Sequence, residues 1–369
     1  MSFIRRIDEA YRTTQLDDAE LNYSTRHVLL PDIGSIGQRK LKASRVLVIG
    51  AGGLGCSVLQ GLCGAGVGYM TVVDGDSVSV SNLSRQWLHN YSTVENNKAL
   101  SAKAALLVQN PRVCVDAKPV FFDKSNGAAL IASHDLVVDA TDVFEARILI
   151  DELCAQFDRP WIHGALYRQS GQVSAFWERC GARFMQLHPE SVGAPSCSGA
   201  GVLGSVASVV GHCQALEAIK LIVGYGRPAI GRVITFDAVT LRTAEFWLGG
   251  VKEPELCGDN SQPGNRSFSL SVEQARQFES TGERIDWIDI RSINTAKENP
   301  FAGAFQYSVD ELLGSRDWLK ALKKPVLICE EGIVSRLIVE ASRCGTSSDV
   351  RYLDGGYQAW VNVPCGRKL

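Results

Sequence analysis

The sequence predicts an α/β protein in two parts, a doubly wound parallel sheet with an antiparallel extension and then a smaller α/β domain. Three observations carry this expectation. Short apolar runs alternate with helical segments as far as residue 166, a Gly-rich turn joins the first run to a helix, and a polar stretch near residue 250 separates this series from a second, shorter one.

RVLVIG, residues 45–50, reads as a buried strand, and the apolar segment Leu54 to Val67 as the helix after it. YMTVVDG (69–75), DLVVDAT (135–141) and PWIHGAL (160–166) read as further buried strands, with helices over Lys98–Gln109 and Ala146–Gln156. Continuous apolar strands with helices between them are the pattern of a parallel sheet covered on both faces. GQVSAFW (171–177) and RVITFDA (232–238) are placed in the antiparallel extension, and residues 202–223 in a long helix of small and apolar residues packed on the sheet. GGVKEPELCGDNSQPGNRS, residues 249–267, has the Gly/Pro/Asn content of a linker. Beyond it, WIDIR (287–291) and VLICE (326–330) read as strands, Val272–Ser280 and Ser335–Arg343 as helices, and LDGGYQAW (353–360) as a turn entering a short helix. The expected division is a domain over 1–250, a linker over 251–268 and a domain over 269–369.

With 369 residues the chain is long for one core. A hydrophobic share of 45%, a charged share of 21% and a net charge of −2 are ordinary for a globular protein and make no case for a nucleic-acid or membrane partner. No apolar run is read as long enough to span a bilayer, and the charged start MSFIRRIDEAYRTTQLDDAE lacks the apolar core of a signal peptide, so a cytoplasmic location is expected. Eleven cysteines without a repeating spacing argue against a disulfide framework there.

Gly50-Ala51-Gly52-Gly53-Leu54-Gly55 fits G-x-G-x-x-G between a strand and a helix, the start of a Rossmann-like unit. The glycines let the backbone turn tightly and approach a phosphate, and the helix N-terminus offers unpaired N–H groups to the anion. Asp74, ending the next strand, stands where an acid binds ribose hydroxyls. Up to this point an NAD-dependent dehydrogenase explains the pattern equally well. Arg26, Arg85 and Lys98, with Asp142 after DLVVDAT, separate the two: three cations and a lone carboxylate suit a triphosphate with Mg²⁺ and exceed what a dinucleotide needs.

LLPDIGSIGQRKL, VLVIGAGGLG, VDGDSVSVSNLSRQ, VVDATD, IHGALYRQSGQV, PSCSGAGVLG and GHCQALEAIKLIVG occur in this order, and over about residues 20–250 the chain resembles the MoeB/ThiF family of ubiquitin-activating-type enzymes. The resemblance implies ATP-dependent adenylation of the C-terminal glycine of a small ubiquitin-like sulfur carrier of the MoaD/ThiS kind, by a homodimer. It implies that Gly50, Gly52, Gly53 and Gly55 lie along ATP, that Asp74 binds ribose, that Ser81, Asn82, Arg85 and Lys98 form the phosphate-contacting run, and that Asp142 holds Mg²⁺. Arg26 would reach the partner subunit's ATP. Where the family usually carries Asn after the metal Asp, Val143 offers no polar contact. Many relatives also hold a structural zinc with two Cys-x-x-Cys pairs. Here Arg183 and Gln186 fill the first pair's positions and Pro254 replaces the first member of the second, leaving Cys180, Cys257 and His188. A tetrahedral site needs four ligands, so no zinc is expected and other contacts must hold the loop.

Two cysteines stand apart. Cys197 lies in PSCSGAG before the long helix; in the family such a loop can carry a cysteine that bonds covalently to the activated protein, and a helix N-terminus lowers a thiol pKa. The plain alternative is a small residue buried at a helix start. Cys329 ends the strand VLIC and opens Glu330-Glu331-Gly332-Ile333-Val334-Ser335. With Asp289-Ile290-Arg291 upstream and LDGGYQAW downstream, residues 269–362 resemble a rhodanese. That implies a persulfide on Cys329, loaded by a donor such as a cysteine desulfurase and spent in making a carrier thiocarboxylate. Glu330 and Glu331 stand where such loops often carry arginine, so the competing expectation is a module that docks carrier and desulfurase without rhodanese catalysis. Cys56, Cys63, Cys114, Cys154, Cys213, Cys344 and Cys365 are read as packing residues, and His163 as a satisfied core histidine.

Overall fold

The computed structural model describes residues 3–187, 201–251, 268–282, 284–315, 317–318, 322–342 and 350–362. The chain divides into two compact units, Met1–Thr14 with Lys40–Cys257 and Gln15–Arg39 with Gly258–Leu369.

Helix α1 (Phe3–Thr13) opens the first unit and buries Phe3 and Ile7, while its Arg6 pairs with Asp135. Helices α2 (Asp18–Tyr23) and α3 (Thr25–Val28) follow, and α4 (Gly34–Ala43) leads into β1 (Arg45–Ile49). The series continues through α5 (Gly53–Ala65), β2 (Tyr69–Val73), α6 (Lys98–Gln109), β3 (Cys114–Lys118), α7 (Gly127–Ala132), β4 (Leu136–Asp139), α8 (Phe144–Gln156) and β5 (Trp161–Tyr167). It ends with β6 (Ser170–Phe176), α9 (Gly204–Val223), β7 (Arg232–Asp237) and β8 (Arg242–Trp247). The sheet order is β3-β2-β1-β4-β5-β6-β7-β8, parallel from β3 to β5 and antiparallel from β5 to β8. Val46, Leu47, Val48 and Ile49 are all buried, which is why β1 reads as an unbroken apolar run.

The expected antiparallel extension is present, with one strand more than the sequence reading placed. β8 is an edge strand exposed along its whole length, so no buried face imposes alternation on RTAEFW. β3, at the other edge, is equally polar. By length and composition α9 is apolar enough to cross a membrane, which corrects the expectation that no run is long enough; most of it is buried inside the unit. Cys56, Cys63 and Cys154 are packing residues as expected, but Cys114 on edge strand β3 and Cys213 on α9 are exposed. Cys344 and Cys365 lie outside the described residues.

The second unit contains β9 (Ser269–Leu270), α10 (Val272–Ser280), β10 (Asp286–Asp289), α11 (Ile293–Glu298), β11 (Phe305–Gln306), α12 (Val309–Gly314) and β12 (Pro325–Ile328). It closes with α13 (Ile333–Ser342), β13 (Arg351–Leu353) and α14 (Gly356–Asn362). Its sheet is parallel throughout, in the order β11-β10-β12-β13-β9. Residues 15–39 cluster with this unit. The reason is burial: Leu16, Leu21 and Val28 share a core cluster with Ile288, Leu312, Leu327 and Ile338. A capping box between Asp17 and Glu20 starts α2, the helix that carries Leu21.

Candidate functional site

In an open α/β sheet, ligands bind beyond the carboxyl ends of the strands where the strand order reverses. Here that point lies between β1 and β4, and a cavity of about 780 Å³ opens there, within the size range of small-molecule sites. Its floor is the turn from β1 to α5. Gly50 has φ +101°, and a Cβ there would stand 2.6 Å from the Ala140 carbonyl oxygen, so the turn requires glycine. The Ala51 N–H donates to Asp74 Oδ2 (2.7 Å) and the Asp76 N–H to Asp74 Oδ1 (2.8 Å). Asn97 caps α6 by accepting the Leu100 N–H, and its Nδ2 donates to the Asp74 and Asp76 carbonyls at 2.9 and 3.1 Å.

Gly50, Gly52, Gly53, Asp74, Asn82, Arg85, Lys98, Asp142 and Val143 all line the cavity. Gly55 and Ser81 do not: Gly55 is buried in the first turn of α5, and the Ser81 carbonyl accepts from Arg85 Nη1 (3.1 Å), so it orients the arginine instead. Lys98 Nζ pairs with Asp76 Oδ2 at 2.9 Å. Asp142 is exposed and takes no hydrogen bond among the described residues. Arg26 lies in the second unit, where its Nη2 meets Asp310 Oδ2 at 3.3 Å.

The sequence reading missed Arg147. This residue of α8 is buried, lines the cavity, and donates from Nε to Asp139 Oδ2 (3.1 Å) and from Nη2 to the Thr141 carbonyl (2.6 Å). Asp139 also accepts from the Thr141 N–H and hydroxyl and meets His163 Nδ1 at 3.2 Å. Burial alone would raise the Asp139 carboxyl, but Arg147, His163 and Thr141 hold it below the usual carboxylate range. The network fixes the backbone just before Asp142. An arginine five residues after Asp142 was visible in the sequence, but a lone arginine on a helix reads as a surface charge.

The residues present fit a nucleoside triphosphate with a divalent cation. The glycine floor admits phosphate, Arg85 and Lys98 are cations in the wall, and Asp142 is a carboxylate with its oxygens open to a hard metal ion. Phe121 and Val143 add apolar wall suited to a flat base.

A separate candidate centre follows β12, the middle strand of the second sheet. Cys329 is 5% exposed. The Ser335 N–H donates to its Sγ (3.4 Å), and the Ser335 hydroxyl, which donates to the Gly332 carbonyl, lies 3.3 Å from the sulfur. The LDGGYQAW segment closes the loop: the Tyr357 and Gln358 N–H groups donate to the Cys329 and Glu330 carbonyls at 2.8 and 3.0 Å. Gly356, at φ +59°, is where a Cβ would strike the Cys329 carbonyl oxygen at 2.4 Å. Arg291 is bound to Asp289 and stacks 3.8 Å from the Tyr357 ring centre. Glu330 Oε1 accepts from Gln358 Nε2 (2.6 Å), and Glu331 is exposed. Cys197, with His188, Pro254 and Cys257, lies outside the described residues.

At the expected position of the first zinc pair, Arg183 donates to Asp151 Oδ2 (2.8 Å) and Glu178 Oε2 (2.6 Å), while Gln186 Oε1 accepts from the Arg183 N–H (2.8 Å). Phe184 between them is buried against Trp161, His163 and Phe176. Ion pairs and aromatic packing hold this loop.

The sequence profile of the ThiF family matches residues 24–257. The chain is 33% identical over 371 residues to the probable adenylyltransferase/sulfurtransferase MoeZ of Mycobacterium tuberculosis, covering 94% of each chain. It is 40% identical over 248 residues to the molybdopterin-synthase adenylyltransferase of Escherichia coli, covering 66% of this chain and 99% of that protein. Among solved structures, Escherichia coli MccB with ATP superposes with a TM-score of 0.53 at 19% identity, covering 67% of this chain and 75% of that one, a likeness of fold.

Proposed function

Because this chain belongs to the ThiF family, we propose that it uses ATP to adenylate the C-terminal carboxylate of a small ubiquitin-like sulfur carrier and then converts the adenylate to a thiocarboxylate. The observation that carries the reading is the cavity at the strand-order reversal, where a glycine turn, Asn82, Arg85, Lys98 and the exposed Asp142 converge. Likeness to MoeZ across both units supports the sulfur-transfer half.

A carrier carboxylate oxygen attacks the α-phosphorus of ATP, a bond forms between them, and the bond to the β-phosphate oxygen breaks to release pyrophosphate. Two anions meet in this step, so charge must be offset where it gathers. Arg85, oriented by the Ser81 carbonyl, and Lys98, with two N–H donors beyond the one given to Asp76, supply cations. Asp74, already accepting two backbone N–H groups, keeps lone pairs for ribose hydroxyls. Asp142 would hold Mg²⁺, which when bound neutralises phosphate charge. In the second step the terminal sulfur of a Cys329 persulfide attacks the acyl carbon and expels AMP, leaving an acyl disulfide. Attack by a reductant thiolate on the Cys329 sulfur frees the thiocarboxylate and leaves a mixed disulfide, which a second reductant thiol resolves to return the Cys329 thiol. The persulfide comes from a protein donor such as a cysteine desulfurase.

The active form is a homodimer in which Arg26 serves the partner's ATP. Val209, Cys213 and Leu216 leave an apolar stripe on the outer side of α9 that supports this assembly. Mixing Arg26→Ala with Asp142→Ala subunits should restore carrier-dependent exchange to roughly a quarter of wild type, since half the chains enter mixed dimers and each holds one intact site. No recovery on mixing would place Arg26 outside the partner's site. The protein holds no structural zinc, because Arg183 and Gln186 are engaged in holding their own loop. Elemental analysis should find far less than one zinc per chain; one zinc per chain would refute this.

A further inference from the structure

The glycine turn is held from beneath by a residue with no part in the roles above. His89 is buried, its Nε2 lies 3.0 Å from the Ala51 carbonyl oxygen, and its Nδ1 lies 2.9 Å from the Ser101 hydroxyl. Burial lowers the His89 pKa, so the ring is neutral with one donor nitrogen and one acceptor. A carbonyl can only accept, which puts the proton on Nε2 and leaves Nδ1 to accept from Ser101. The Cys56 thiol adds a weak contact to the same carbonyl at 3.5 Å. The other end of the Ala51 residue, its N–H, is taken by Asp74. Ala51 is thus clamped at both its N–H and its C=O, directly between Gly50 and Gly52. Ser101 stands on α6 one turn beyond Lys98.

We propose that His89 is a positioning residue for the nucleotide: by tying Ala51 to Ser101 it fixes the spacing between the open amides at the start of α5 and the Lys98 ammonium, the two groups that must grip one phosphate chain together. This rests on the reading of the cavity as an ATP site. Both ends of the link belong to the elements that carry the glycine turn and Lys98, so the effect is expected on ATP. The link also explains why a histidine, with one donor and one acceptor on a rigid ring, stands at this buried position beside Leu88.

The test uses the full chain and three variants, with ATP affinity read by calorimetry and exchange kinetics resolved into KM for ATP and KM for carrier. His89→Leu removes both hydrogen bonds and should raise Kd and KM for ATP at least about tenfold, the scale of a lost buried hydrogen bond. His89→Gln keeps a donor for Ala51, and Ser101→Ala keeps the ring; each should raise them about threefold. KM for carrier should stay within about twofold throughout. Wild-type ATP affinity in His89→Leu, or equal losses toward ATP and carrier, would overturn the positioning role. Should His89→Leu not fold, Ser101→Ala decides: a rise confined to ATP supports the role and an unchanged KM for ATP overturns it. Absence of ATP binding by the wild-type protein is a different outcome and defeats the nucleotide reading itself.

Discussion

Asp142→Ala is expected to abolish carrier-dependent ATP–pyrophosphate exchange, a fall of at least about 10²–10³-fold, with the fold intact. Both halves of that result follow from how Asp142 sits. Its carboxylate is exposed and makes no hydrogen bond among the described residues, so removing it leaves no buried partner stranded. The neighbouring Asp139 is the opposite case: it is buried and bound to Arg147, Thr141 and His163, so its loss would damage the end of β4. Asp142 lines the cation-lined cavity, which is why the metal role is proposed for it. Exchange measured beside a thermal melt separates the two effects. Full exchange in a folded Asp142→Ala protein would falsify the metal assignment.

Cys329→Ser should leave pyrophosphate exchange near wild type and stop thiocarboxylate formation from a persulfide donor. Adenylation is oxygen–phosphorus chemistry and needs no thiol, whereas sulfur transfer needs a sulfur nucleophile held by the Ser335 N–H and hydroxyl. Both assays run on one preparation make the comparison internal. Loss of both activities would indicate misfolding, and retention of both would leave the second unit a docking module. The same loop predicts a weak thiosulfate:cyanide activity. Thiosulfate is a dianion, and the residues after the cysteine are Glu330, tied to Gln358, and the exposed Glu331. Replacing both with Gln should raise that activity severalfold, and added salt should raise the parent's in the same direction by screening. An unchanged activity in the double variant would show that charge does not set donor choice.

Which parts of this were legible beforehand depended on how local the signal was. The helix over Lys98–Gln109 has the same bounds in sequence and structure, because Asn97 caps it and its periodicity is unbroken. The glycine turn, Asp74 and Asp142 could be named because each closely follows a buried strand, while the roles of Arg85 and Lys98 come from the family resemblance. Edge strands β3 and β8 escaped, since neither has a continuous buried face to impose alternation.

The sequence by itself determined the buried strands and the helices between them, the nucleotide turn, the charged residues that follow it, and the position of Cys329, all of which are written in short runs of neighbouring residues. Only the tertiary structure decided that residues 15–39 belong to the second unit, that Lys98 pairs with Asp76, that Arg147 is a buried support instead of a surface charge, and that Cys114 and Cys213 are exposed. Each of these turns on a contact or a burial set by residues distant in the chain. Arg26 and Asp310 stand 284 positions apart, and Ala51 and His89 stand 38 apart. No local pattern encodes such a meeting, because it exists only once the hydrophobic cores have brought the segments together.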